Sequence, residues 1–142
     1  MSAAPRRVVE REIPVRTYDI DFAGIVGNIV YVRWLEDLRL AMMEAAYPIA
    51  RALAEDVAPI LLETRIAYER PVTLQDALRG RIWVTEMGRI KWRLAAEFLV
   101  GDECRARAEQ TGLFIRLSTR RPIAPPSELR RFYAPETAAR AR

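Results

Sequence analysis

The 142-residue chain has no histidine, one cysteine (Cys104), one lysine (Lys91) and three serines (Ser2, Ser118 and Ser127). Without histidine, neither a Ser-His-Asp nor a Cys-His nucleophile can be assembled. With only one thiol as well, the usual zinc sites are excluded. None of the serines stands in a Gly-x-Ser-x-Gly turn, the setting of a serine hydrolase nucleophile. Cys104 can form no intrachain disulfide, and with no base to generate a thiolate it reads as a small hydrophobe in a strand. The six glycines fall into no Walker or GxGxxG pattern, which removes those modes of nucleotide binding. No apolar run approaches the roughly 18 residues that cross a bilayer, and MSAAPRRVVEREIP lacks the apolar centre of a secretion signal. A soluble cytoplasmic protein with no membrane partner is therefore expected.

What is present suffices for one folded domain. Hydrophobic residues make up 51% of the chain and charged residues 30%, too apolar a mixture for disorder. One domain over 1–142 is expected, with a core at about 8–118 and a short C-terminal helix and tail over 122–142. The net charge of +4 comes almost wholly from arginine, spread along the chain. Nucleic-acid binding needs a basic patch with aromatic or base-reading groups interleaved, and the only dense pairs, Arg6-Arg7, Arg120-Arg121 and Arg130-Arg131, lie near the ends, so no nucleic-acid partner is expected. Arginine forks also suit the phosphates of a small anionic ligand.

Residues 8–18 alternate imperfectly, with Pro14 marking an edge or bulge, and predict a first strand. The segment DIDFAGIVGN has two glycines and no period, and predicts a loop. From Ile29 to Ala46, Tyr31, Trp34, Leu35, Leu38, Met42 and Ala45 recur at spacings of three and four, the stripe of a long helix. Asn28 stands where an N-cap belongs and Pro48 follows the end. Four strands are predicted near 59–69, 77–87, 89–100 and 103–118, with hairpin turns at 87–89 and 100–102. One long amphipathic helix beside consecutive strands predicts an α+β architecture, an antiparallel sheet wrapped around the helix.

By elimination, the chemistry falls to carboxylates. Asp19 and Asp21 precede a glycine loop that opens directly into the helix. Free N–H groups at a helix start, with its positive dipole end, can stabilise an oxyanion beside a carboxylate carried by that loop. A thioester carbonyl is a suitable client, and the chemistry needs no metal or other cofactor. Spacing alone leaves a second reading open, in which both acids only shape the loop.

The stretch Arg16-Thr17-Tyr18-Asp19-Ile20-Asp21-Phe22-Ala23-Gly24-Ile25-Val26, followed by Tyr31-Val32-Arg33-Trp34-Leu35-Glu36 and Arg39, resembles the signature of hotdog-fold acyl-CoA thioesterases of the 4-hydroxybenzoyl-CoA thioesterase type. Weaker echoes follow at Tyr68-Glu69-Arg70-Pro71, Asp76 and Gly88. The resemblance implies a hotdog fold in homodimers or homotetramers and an acyl-CoA substrate. It maps the catalytic carboxylate onto Asp21 and the oxyanion donor onto the backbone N–H of Asn28. Gly24, Val26, Gly27 and Tyr31 fall in the implied substrate-binding turn and wall, and Arg89 is the implied partner of a coenzyme A phosphate. Asp19 is expected to hold the loop. The sequence departs from the family at Gly27, where many relatives carry histidine, and at Val30, where they carry asparagine. The Asn28 side chain reads equally as a helix cap or as a substrate contact. An acyl-carrier-protein thioesterase and a non-catalytic acyl-thioester binder remain alternative readings.

Overall fold

The computed structural model describes residues 7–135. The chain runs β1 (Val8–Ile13), a 3-10 turn (Thr17–Asp19), α1 (Asn28–Ala46), α2 (Ile49–Ala54), β2 (Val57–Tyr68), β3 (Leu78–Met87), β4 (Trp92–Val100), β5 (Glu103–Arg116), β6 (Arg121–Ile123) and α3 (Ser127–Tyr133). The strands form one antiparallel sheet in the order β1-β3-β4-β5-β2, with β6 added on β5. This is the expected α+β arrangement. The order also shows that β2 crosses over to pair with β5 at one edge, away from its sequence neighbour β3.

The alternating pattern sets the two faces of the sheet. In β4, Trp92, Leu94, Ala96 and Phe98 point inward, and Arg93 and Glu97 point outward. α1 crosses this inner face and buries Tyr31, Trp34, Leu35, Leu38, Met42 and Met43 against it. The rings of Tyr31 and Trp34 lie 5.3 and 5.9 Å from that of Phe98. Gly80 allows the closest approach of the helix, since a Cβ there would meet Ile13 at 2.7 Å and Leu38 at 3.0 Å. At the far end of α1, the Tyr133 hydroxyl donates to the Met42 carbonyl at 2.8 Å, which docks α3 over the sheet.

The outer face accounts for many arginines. Glu10 meets Arg79 at 2.7 Å and Arg81 at 3.5 Å. Glu97 meets Arg81 at 3.6 Å and Arg107 at 3.0 Å, and Arg107 meets Glu69 at 3.0 Å. Signs alternate from strand to strand, so this face carries cations without a basic patch.

Three expectations need correction. The first strand stops at Ile13, because Pro14 ends its pairing with β3. The helix N-cap is Gly27, and Asn28 is already the first helical residue. Pro122 lies inside the short edge strand β6, within the 122–142 stretch that was expected to hold only a short helix and a tail. Cys104 lies in β5 as expected, half-buried, with its Sγ 3.4 Å from the Ala106 carbonyl. The expected tail falls largely in 136–142, outside the described residues.

Candidate active site

Loop 20–27 is built by local chemistry. Asp21 N–H donates to Ile25 O at 2.8 Å, and Gly24 N–H donates to Asp21 O at 3.0 Å. Gly24 has a φ of +79°, which glycine adopts at little cost. Together these make a three-residue turn with a glycine bulge, closed by a bridge between Ile20 and Val26. One Asp21 oxygen accepts the Ala23 N–H at 2.8 Å, which steadies the turn. The other has no protein partner among the described residues.

Asp19 holds the base of the loop. Its side chain accepts the Arg16 N–H at 2.8 Å, and its carbonyl accepts the Gly27 N–H at 3.0 Å. Buried Val26 donates its N–H to the Val72 carbonyl at 2.8 Å, tying the loop to the segment between β2 and β3. That segment is fastened in turn by Asp76, which accepts the Thr73 N–H at 2.8 Å, and by Arg105, which donates to Pro71 O at 2.6 Å and lies 3.3 Å from Asp76. These contacts hold the Asp76 carboxyl below its ordinary value, the Thr73 amide contributing most. The sequence showed Asp76 only as a faint echo. The role of Val72 left no signal, because a backbone carbonyl carries no side-chain signature.

The loop sets Asp21 beside the start of α1. A Cβ built on Gly27 would lie 3.8 Å from the Asp21 Cβ, so the two residues face one another in ordinary contact. No side chain caps α1, and no acceptor among the described residues takes the N–H of Asn28 or Ile29. A carboxylate and two free helix-start donors therefore share one corner, where an oxyanion has donors available. The Asn28 side chain is exposed and makes no cap, and the Asn28 carbonyl accepts the Tyr68 hydroxyl at 3.1 Å.

The remaining site residues are placed differently. Tyr31 is a core aromatic, packed edge-on against Trp34, Tyr68 and Phe98, and burial pushes its phenol up to about 12. It therefore stays protonated at neutral pH. Val30 is buried, so this chain spends on core packing a position where the family pattern has asparagine. Arg89 lies beyond Met87 in the β3–β4 hairpin. From Leu78, which pairs with the end of β1, to Met87 the chain runs nine strand steps of about 3.3 Å each. Arg89 is thus at the opposite end of the chain from Asp21, and one chain does not bring them together.

Asp21 itself is exposed and lines neither of two cavities in the fold. One, of about 460 Å³, runs between the end of β1 and α1, where Arg11, Arg16 and Arg33 face Glu12, Asp19 and Asp37. The other, of about 420 Å³, lies under the C-terminal half of α1. Around the Asp21 corner, Tyr18, Phe22 and Ile29 are exposed apolar side chains, Phe22 fully so.

Comparison with known proteins agrees with this architecture. The structure is similar to a 1,4-dihydroxy-2-naphthoyl-CoA thioesterase from Synechocystis, with TM-score 0.78, 18% identity, and coverage of 86% of this chain and 92% of that one. It is similar to the probable thioesterase YbaW from Escherichia coli, with TM-score 0.74, 24% identity, and coverage of 87% and 93%. It also resembles a hypothetical protein from Staphylococcus aureus solved in complex with CoA, with TM-score 0.81, 15% identity, and coverage of 91% and 83%. A search of curated proteins gave no match. The fold is the hotdog, a curled antiparallel sheet around a helix. Residues 15–133, from just after β1 through α3, match the thioesterase-like superfamily, and the chain belongs to that superfamily.

Proposed function

We propose that the protein hydrolyses the thioester bond of an acyl-coenzyme A. The observation that carries this reading is the Asp21 carboxylate, one oxygen unengaged, beside the uncapped start of α1. A thioester carbonyl held at the N–H groups of Asn28 and Ile29 has its developing negative charge stabilised there. Asp21 either takes the proton of an attacking water or attacks the carbonyl carbon itself. In both cases the tetrahedral intermediate collapses with loss of the coenzyme A thiolate. Direct attack leaves an anhydride between Asp21 and the acyl group, which a water then opens to the free acid and the restored carboxylate; heavy oxygen found in Asp21 after a single turnover in labelled water arises only by this route. For the anionic end of coenzyme A, Arg16 and Arg33 are nearer the loop than Arg89, and both line the hollow beside it.

Because Asp21 stands on open surface in one chain, the site needs a second wall. A second copy of the chain supplies it in this reading, covering Tyr18, Phe22 and Ile29. The superfamily match and the CoA-bound structural neighbour support the substrate class.

The test is thiol release from a panel of acyl-CoA thioesters. Asp21→Asn should lower turnover by about 10²-fold or more. The variant should remain folded, because its amide oxygen still accepts the Ala23 N–H. Turnover equal to that of the parent would remove Asp21 from the mechanism. A panel with no turnover, but with acyl-CoA binding by calorimetry, would favour the binding-protein reading.

A further inference from the structure

The 420 Å³ cavity under the C-terminal half of α1 has a built polar mouth. Its walls are apolar, with Met42, Met43, Val84, Leu94 and Phe114 among them. Its volume is within the range of small-molecule sites. At the rim, the Arg39 side chain is only 20% exposed, while its partner Glu36 is 63% exposed and 3.4 Å away. The guanidinium is held from within, donating at 2.8 Å to the Oε1 of Gln110, which is 2% exposed. Gln110 is fixed in turn by donating to Thr64 Oγ1 at 3.0 Å. Trp92, another wall residue, is 6% exposed and buries an indole N–H with no acceptor among the described residues.

Stability does not call for this arrangement. Apolar residues at the places of Arg39 and Gln110 would avoid the desolvation of a cation and an amide. That desolvation is felt, since burial holds the Arg39 guanidinium below its ordinary value. The loosely held Glu36 only partly offsets the charge, and Arg39 has five N–H donors, more than its two contacts use. A positioned cation at the mouth of an apolar cavity selects a ligand with an anionic head and an apolar body.

We propose that this cavity binds an apolar monocarboxylate, its head on Arg39 and its body among Met42, Met43 and Phe114. The site is separate from the Asp21 corner. Glu36 lies eight residues into α1 from Asn28, about 12 Å along the axis. The inference therefore does not depend on thioester hydrolysis.

The test is titration with decanoate below its aggregation limit, read by calorimetry and by the indole N–H resonances of the three tryptophans. Decanol and decyltrimethylammonium serve as head-group controls. Saturable decanoate binding should move the Trp92 resonance, and neither control should compete at equal concentration. Arg39→Gln should weaken binding about tenfold or more through loss of the charged head contact. Arg39→Lys should restore much of it. Ala58→Leu, which fills the cavity from β2 without touching the charge, should also abolish binding. Asp21→Asn should bind as the parent does, whatever its hydrolytic activity. Failure of decanoate to bind, equal binding of decanol, or parental affinity in Arg39→Gln or Ala58→Leu would overturn the proposal.

Discussion

The two positions that shape the Asp21 corner tolerate change very differently. Gly24 has open space around its missing side chain but a φ of +79°, so any substitution is strained by the backbone alone. Gly24→Ala is expected to cost about 1–2 kcal/mol, measured by chemical denaturation, and to lower turnover by disturbing the turn that carries Asp21. Gly27, with φ −71°, has ordinary contacts around its Cβ position, and a serine there should fold normally. The sequence marked both as glycines of one loop and could not tell them apart, since the difference lies in dihedral angle. Gln110 was missed for another reason. It occupies the inward position in the series Ala106, Ala108, Gln110, Gly112 and Phe114, and a polar residue on the buried face of a strand is a legible anomaly once the pairing is known.

At the scale of elements, the long helix and the sheet strands were readable because each buries one face and so repeats at its own period. α2 and β6, of six and three residues, are too short for any period to show. The crossover of β2 to the sheet edge was also hidden, since pairing partners depend on contacts distant in sequence. The loop that carries Asp21 depends on such a contact, because the Val26 to Val72 hydrogen bond makes the 69–77 segment its anchor. Asp76→Ala should therefore reduce turnover about tenfold without removing any group from the Asp21 corner, through misplacement of the loop. The pH dependence has a definite sign. A carboxyl held below its ordinary value contributes fully above that value and loses its contribution as the pH falls through the depressed one. Protection of the Val26 amide, taken relative to its intrinsic exchange rate at each pH, should thus fall under strongly acidic conditions in the parent. Exchange already fast at neutral pH is expected in Asp76→Ala, and parental exchange there would refute the anchoring.

At the scale of the molecule, β2 is an edge strand, with β5 on one side and no strand on the other among the described residues. Leu61 and Leu62 on that strand are exposed, as are Tyr18, Phe22 and Ile29 around the loop. An open edge with exposed leucines is a pairing site. Sedimentation should give an assembly of at least two chains of 16.3 kDa each. Leu62→Glu should shift it toward the monomer and reduce turnover in parallel, because a lone chain leaves Asp21 uncovered. A fully active monomer would show that no second wall is needed.

The banded outer face of the sheet has a consequence for how such a chain can change. Glu97 serves arginines on both flanking strands, and Arg107 reaches across to the acid that follows β2. Inverting one member strands two neighbours of like sign against it, so viable substitutions there come in compensating sets that run crosswise through the strands. Residues far apart in the chain are thereby bound to vary together on the face of the sheet turned away from α1.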